Sequence, residues 1–292
     1  MRYDISLKIE YTYPDLADAG RHLVRLMPAD LPGEQRAIAG TMTVKPRPQE
    51  WVDRIDFFGN RFTELAFDSP HEVLSFEAQA RVDRIARGPQ FDMSPTLSGL
   101  AEDLAAYRGV DAASPHHFTG SSTRVPIDSR TTDYARSVIV GNASTLETVS
   151  AINLALHRDM KFDPEATTVE TPMLEAFERR HGVCQDFTHI MISCLRGIGI
   201  PAGYVSGFLR TIPPEGKPRL EGADAMHAWV RAWCGEEMGW IEFDPTNAAL
   251  AGEDHIVIAR ARDYFDVAPV RGVTRSAGAH TSSQAVDVVP VG

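Results

Sequence analysis

Apolar and polar residues alternate through most of the first 84 positions: "YDISLKIEYTY", "RHLVRLMPA", "IAGTMTVKP", "WVDRIDFFGN", "RFTELAFDS" and "EVLSFEAQARVDR" are short runs bounded by Pro, Gly, Asn or Asp. Successive side chains of a strand point to opposite faces, so each run predicts a half-buried strand. Six such runs in close succession predict an antiparallel β-sandwich over residues 1–84, with a tight hairpin turn at Gly59-Asn60 in "FFGNRF". From Ile85 the alternation dissolves into "RGPQFDMSPTLSG", a short helical run "LAEDLAAY", and "DAASPHHFTGSSTRVPIDS". That enrichment in Pro, Ser and Gly predicts an interdomain connection over 85–131.

The period then lengthens to that of a helix near Thr132, where a second domain over 132–272 is expected. Ser144 and Glu147 have the spacing of a capping box, and Leu146, Val149, Ile152 and Leu156 follow on one face. Pro172 and Gly182 bracket "MLEAFERRH" as a helix. Phe187, Ile190, Met191, Cys194, Leu195 and Ile198 form a buried stripe on the next one. Alternation returns in "DAMHAWVRAWCGEEMGWIEFDPTN", which predicts a hairpin with His227, Trp229, Arg231 and Trp233 on one face. A two-residue loop at Gly235-Glu236 would set His227 directly opposite Asp244. The end of the chain, 273–292, reads as an extension; its apolar, β-branched half predicts a terminal strand over 284–291, kept to an edge by Pro290.

Composition narrows the class. A chain of 292 residues exceeds the usual single domain, and 43% hydrophobic with 24% charged residues is ordinary for a folded globular protein. The formal net charge of -11, with no basic patch, argues against nucleic acid or an anionic membrane as partner. Residues 1–20 carry charges throughout and resemble neither a signal nor a transit peptide, and no apolar run is long enough to span a bilayer, so a cytoplasmic protein is expected. Cys184, Cys194 and Cys234 lack the count and spacing of a disulfide framework or a CxxC metal site, so free thiols are expected. No cofactor is implied. A metal site built from Cys184, His189 or His227 would lack paired ligand spacing, and no EF-hand loop is present.

Candidate chemistry gathers at Cys184. It precedes the apolar stripe, at a helix N-terminus, where unpaired backbone N–H groups and the positive end of the dipole favour a thiolate. Cys194 lies on the stripe and reads as a small buried hydrophobe. A thiol nucleophile needs a base. His189 is five residues on, rotated roughly 140° around the helix, and reads as a buried group beside the site. His227, paired with Asp244, is the better candidate, because a carboxylate fixes the tautomer of an imidazole and supports its charged form. The competing reading is a protein-binding module in which the three residues do no chemistry.

"HGVCQDFTHI", "GIPAGYVSGF", "DAMHAW" and "GWIEFDPTN", in that order, resemble the transglutaminase-like superfamily, which shares a papain-like thiol-hydrolase core. The β-rich start of the chain resembles the N-terminal domain of its bacterial branch, and "EDHIVIARARDYFDVAPVRG" looks like its closing segment. The resemblance implies an α+β chain: a sandwich followed by a core in which a helix bearing the cysteine packs on an antiparallel sheet. It implies Cys184 as nucleophile, His227 as base and Asp244 as orienting carboxylate, with Gln185, Asp186, His189, Tyr204 and Trp229 in supporting or substrate-contacting places. The reaction implied is acyl transfer or hydrolysis at a peptide or carboxamide bond of a protein or peptide substrate, through a thioester, with hydrolysis favoured over crosslinking. Two departures stand out. Relatives often carry Arg where this chain has Gly203, and Phe162 in the upstream segment "MKFDPEAT" cannot donate a hydrogen bond to an oxyanion.

Overall fold

The computed structural model describes residues 1–85, 91–211, 222, 224–276 and 278–291; residues 86–90 of the expected connection and 277 and 292 of the expected extension lie outside these. The six alternating runs form strands β1 (Arg2–Ala17), β2 (Ala19–Val24), β3 (Gln35–Lys45), β4 (Glu50–Ile55), β5 (Arg61–Phe67) and β6 (His71–Arg84). After them come α1 (Leu97–Ala106), a 3-10 turn at Pro115–Phe118, α2 (Ser129–Val138), α3 (Thr145–Asp159), β7 (Lys161–Phe162), α4 (Met173–Arg179), β8 (His181–Gly182) and α5 (Cys184–Gly197). The chain closes with β9 (Ala202–Leu209), β10 (Ala225–Trp233), β11 (Trp240–Asp244), β12 (Ala249–Leu250), β13 (His255–Ala261), α6 (Tyr264–Val267), β14 (Val270–Arg275) and β15 (Thr281–Val291). No described helix is long and apolar enough to cross a membrane.

Two sheets, β15-β1-β6-β3 and β14-β2-β5-β4, make the sandwich, and β12-β11-β10-β9-β13 makes a separate antiparallel sheet against which α5 packs. Tyr3, Ile5, Leu7 and Ile9 bury one face of β1 at a period of two, against Leu65, Phe67, Leu74 and Phe76. Residues 1–84 do not complete this sandwich, because each sheet takes an edge strand from the end of the chain. β15 starts three residues before the expected Gln284 and pairs with β1 from Thr281↔Thr12 to Val291↔Arg2. Pro290, opposite Tyr3, falls next to the strand's last residue on the sheet edge, where its missing N–H does least harm.

β15 also reaches the second sheet. The Val288 N–H donates to Asp224 Oδ2 at 2.6 Å and the Asp224 N–H to the Val286 carbonyl at 3.2 Å, just ahead of β10. Truncation after Gly272 is therefore expected to cost more than a loose tail would. Unburying Val286 and Val288 alone forfeits ~3–6 kcal/mol, which at ~2–4 °C per kcal/mol lowers the melting temperature by roughly 6–24 °C. A truncated chain that melts together with the full-length one would contradict this.

The apolar stripe of α5 is buried from Phe187 to Leu195, while Ile198 caps the helix and is half-buried. The polar side is buried too, with Gln185, Asp186, Thr188, His189, Ser193 and Arg196 covered because α2, α3 and α4 lie over the side away from the sheet. The connection over 85–131 takes part in this covering. Phe118 and Val125 are fully buried, Ser193 donates to the Pro126 carbonyl, and the buried Arg196 guanidinium donates to the carbonyls of Gly120, Ala202 and Arg262. The capping box of Ser144 and Glu147 is present on α3. α4 stops at Arg179 rather than running to Gly182: Arg180 turns left-handed (φ 58°) and lays its guanidinium over the rings of Phe177 and Tyr134, 4.3 and 5.0 Å from their centroids.

Sandwich and sheet are locked through the outer edge of β13, whose unpaired backbone groups are met by side chains. The Gln35 amide donates to the Val257 carbonyl and accepts its N–H (2.8 and 2.9 Å), and Asn60 does the same at Arg260 (2.9 and 2.8 Å). Asn60 thus serves this edge and also closes the expected turn, where its backbone N–H and amide donate to the Asp56 carboxylate and its carbonyl accepts the Asp56 N–H, with Gly59 at positive φ, 84°.

Candidate active site

Cys184 is the first residue of α5, and the turn before it is held from three sides. β7 and β8 pair in parallel, Val183 is extended, and the Asp186 carboxylate reaches back to accept the Val183 N–H at 2.8 Å and the Thr167 hydroxyl at 2.6 Å. Burial pushes the Asp186 carboxyl up while those two bonds oppose it. Gly182 makes room for this carboxylate: a Cβ there would lie 2.5 Å from Asp186 Oδ2. The N–H groups of Cys184 and Gln185, at the first helical positions, have no carbonyl in the helix to accept them. Gln185 Nε2 donates to the Val169 carbonyl at 3.3 Å and ties the preceding loop to the helix. All three thiols are free, but Cys194 and Cys234 are fully buried, and burial pushes the Cys234 thiol up to about 12. Cys184 alone is partly exposed.

The hairpin differs from expectation in its loop. The pairs are Val230↔Phe243, Arg231↔Glu242, Ala232↔Ile241 and Trp233↔Trp240, so the turn spans Cys234–Gly239, closed by Cys234 N–H to the Gly239 carbonyl and Gly239 N–H to the Gly235 carbonyl. The register is thus shifted by two from a Gly235-Glu236 loop, and Asp244 falls opposite Trp229. An even shift leaves every side chain on its face, so His227 and Asp244 still meet, diagonally, with Nε2 2.7 Å from Oδ2. The Cys184 thiol is the other group that acts on the same imidazole, raising its pKa alongside Asp244. Since Nε2 is committed to Asp244, Nδ1 is the nitrogen left for sulfur.

Asp244 is completely buried and takes five donors. Oδ2 accepts from His227, from Asn247 Nδ2 (2.7 Å) and from His255 Nε2 (3.1 Å); Oδ1 accepts the backbone N–H groups of Thr246 (2.9 Å) and Asn247 (3.2 Å). Burial raises its pKa, but the bonds from His227 and His255 outweigh burial and hold the carboxyl well below the usual range. For His227 burial acts downward, and the bond to Asp244 together with the neighbouring Cys184 overcomes it, pushing the imidazole up to about 10. His255 and Asn247 were not singled out by sequence. His255 opens β13, two strands away from β10 across β9, and no local pattern encodes that placement.

Trp229 lies nearly parallel to His227 (28°, 6.1 Å) and edge-on to His255 (5.1 Å), with its indole N–H donating to Glu242 at 2.9 Å. Glu242 is in turn paired with Arg260 at 2.5 Å, which also meets Glu34 of the sandwich. The ring crosses β9 only because residue 207 is glycine: a Cβ there would lie 2.1 Å from the Ile256 carbonyl oxygen and 2.4 Å from the indole. Gly207→Ala is therefore expected to part β9 from β13, to swing Trp229 off both histidines, and to lower stability by ~3 kcal/mol or more. A variant with an unchanged melting temperature and unchanged tryptophan fluorescence would refute the packing argument. Gly203 faces Arg231 across the β9–β10 pair, and the Arg231 guanidinium sits 4.0 Å over Trp240, so a cation occupies this face from the neighbouring strand.

His189 points away from the thiol, as its spacing requires. Its Nε2 accepts the Tyr264 N–H at 3.2 Å, and burial, with Arg124 and Arg196, pushes it down to about 3. It packs under Tyr204 (5.2 Å), whose phenol is raised well above its ordinary range by burial and then by the charge of Cys184. A cavity of about 1020 Å³ opens beside these residues, between the sandwich and the second sheet, with Tyr11, Tyr13, Arg124, Glu170, Met226 and Tyr264 in its wall. Met226 immediately precedes His227, and Glu170 follows the residue bonded by Gln185. Phe162 is half exposed at the start of the same loop.

The cluster of His227, Asp244 and His255, with ligand atoms within 4.8 Å of one another, has the composition of a metal site. The hydrogen bonds argue otherwise. The Gly252 N–H donates to His255 Nδ1 at 3.2 Å, so the proton of that ring is on Nε2, which therefore offers no lone pair to a cation.

The family description "Transglutaminase-like superfamily" matches residues 132–245, and "Bacterial transglutaminase-like N-terminal region" matches residues 3–83. An uncharacterised protein of Mycobacterium tuberculosis (strain ATCC 25618 / H37Rv) is 32% identical over 306 residues, covering 99% of this chain and 93% of its own. One of Mycobacterium leprae is 29% identical over 280 residues, 95% of each chain. The crystal structure of a candidate cysteine protease from Cytophaga hutchinsonii has the same fold, with a TM-score of 0.71 at 20% identity over 99% of this chain and 91% of that one.

Proposed function

The chain belongs to the transglutaminase-like superfamily, and from that premise we propose that it is a cysteine peptidase or amidase acting on a peptide or protein in the cytoplasm. The observation that carries this reading is an imidazole held between a reachable thiol and a fully buried carboxylate. His227 Nδ1 takes the proton of Cys184, and the sulfur attacks the carbonyl carbon of an amide bond. The oxyanion falls against the unpartnered N–H groups at the start of α5. His227 returns its proton to the leaving amine, leaving a thioester on Cys184. It then takes a proton from water as the water attacks that thioester, and the acid and the free thiol are restored.

Hydrolysis is favoured over crosslinking because the cavity beside the site is wide and partly polar, with Arg124, Glu170 and Gln284 in its wall, and such a lining suits water, whereas amine transfer requires its exclusion. Incubating the protein with a peptide library, with and without a primary amine, and reading the products by mass spectrometry tests this. New carboxylates are expected. Amine adducts in their place would turn the assignment to transamidation. No product at all, together with a Cys184 no more reactive to iodoacetamide than free cysteine, would leave a binding surface.

A further inference from the structure

Nothing in thiol attack itself calls for a second histidine on the carboxylate, yet the roles of His255 are unusually determinate. A ring nitrogen that accepts a hydrogen bond carries no proton, so the Gly252 N–H bond to Nδ1 leaves the proton of His255 on Nε2. That nitrogen lies 3.1 Å from Asp244 Oδ2, the same oxygen that His227 holds at 2.7 Å. His255 cannot exchange donor for acceptor without losing Gly252. The ring is 6% exposed overall and packed edge-on against Trp229, so it has little room to turn. The opposite oxygen of Asp244 is pinned by the two backbone N–H groups of the Thr246–Asn247 turn, and the carboxylate is thereby fixed at both ends.

We propose that His255 is a positioning residue: by donating its Nε2 proton to Asp244 Oδ2 it holds that oxygen toward His227 and keeps His227 in the tautomer whose Nδ1 can receive the Cys184 proton. Its effect on turnover rests on the cysteine peptidase or amidase reading above; its effect on the thiol does not. Without this donor Oδ2 would be gripped only by His227 and Asn247, and the imidazole would lose the fixed acceptor that aligns it.

Three replacements separate donation from bulk. His255→Gln keeps an N–H within reach of Asp244. His255→Asn is too short for that but still offers an acceptor to Gly252, and His255→Ala removes both. The readouts are the rate of Cys184 alkylation by iodoacetamide, which needs no substrate, and kcat and KM on a peptide that the wild type cleaves. His255→Gln is expected to stay within about threefold of wild type, while the Asn and Ala variants fall by ~10- to 100-fold in alkylation rate and in kcat with KM little changed. Should the Ala variant not fold, the Gln and Asn pair decides. A folded Asn variant that alkylates at the wild-type rate would overturn the proposal, as would a Gln variant as slow as Asn. If alkylation follows this order while no peptide is cleaved by any form, His255 keeps its role and the peptidase or amidase reading fails.

Discussion

Cys184→Ala is expected to bring peptide turnover to background, a loss on the order of 10⁶ in kcat where a nucleophile is removed outright. The other two cysteines supply the control. Cys194 sits fully buried on the stripe of α5 and Cys234 fully buried where the hairpin turn begins, and neither is within reach of a substrate. Their alanine variants should keep activity within about tenfold and lose ~1 kcal/mol of stability through the small void left by sulfur. Since Cys184 is only partly buried where it packs at the margin of the core, Cys184→Ala should melt close to wild type. The decisive comparison is thus rate against melting temperature across the three variants. Substantial turnover by Cys184→Ala would end the assignment of the nucleophile, and equal losses in all three would reduce the cysteines to packing.

Local patterns carried far in this chain because local chemistry decided the local structure. All six alternating runs of the first 84 residues became strands, and the cysteine at the mouth of the amphipathic helix became its first residue. The pairing of His227 with Asp244 survived a wrong loop for a physical reason: the loop changed the register by two, and a strand's faces repeat every two residues. What stayed hidden depends on contacts distant in sequence. Periodicity shows one apolar stripe on α5, but whether its polar side meets water depends on what α2, α3 and α4 place there. Apolar, β-branched content marks β15 as a strand but not its partner, which turns out to be the first strand of the chain. His255 is the sharpest case. Its stretch "EDHIVIA" stood out only as part of a segment resembling the family's closing one, and the carboxylate it serves lies on another strand three places across the sheet.

Asp244→Asn is expected to lower kcat by roughly 10⁴, the scale seen when the orienting carboxylate of such a set becomes an amide, and to lower stability as well. The complete burial of Asp244 makes the second effect unavoidable. Five donors converge on Asp244, two of them backbone N–H groups on Oδ1 that an amide oxygen can still satisfy. The amide nitrogen must then face His227, His255 and Asn247, all donors. His227 can answer only by moving its proton to Nδ1, and it then has no lone pair for Cys184. His255 cannot make that move while Gly252 donates to its Nδ1, so a donor faces a donor in the interior. Such a clash costs about 1–3 kcal/mol.

The pH dependence of the stability difference provides the check on its origin. A carboxyl held below its unfolded value stabilises the fold at pH above ~4 and loses that contribution as pH falls further. An imidazole raised to about 10 stabilises below its unfolded value near ~6.5 and loses the contribution as pH rises through its folded one. The gap between wild type and Asp244→Asn should therefore be widest between pH ~4 and ~6.5 and should narrow on either side. Melting curves taken from below pH ~4 to above pH ~6.5, toward the raised value of His227, beside kcat measured well below the variant's melting temperature, separate the two effects. A gap that stays constant with pH would assign Asp244 to packing alone, and a folded variant with near wild-type kcat would remove it from the chemistry of Cys184.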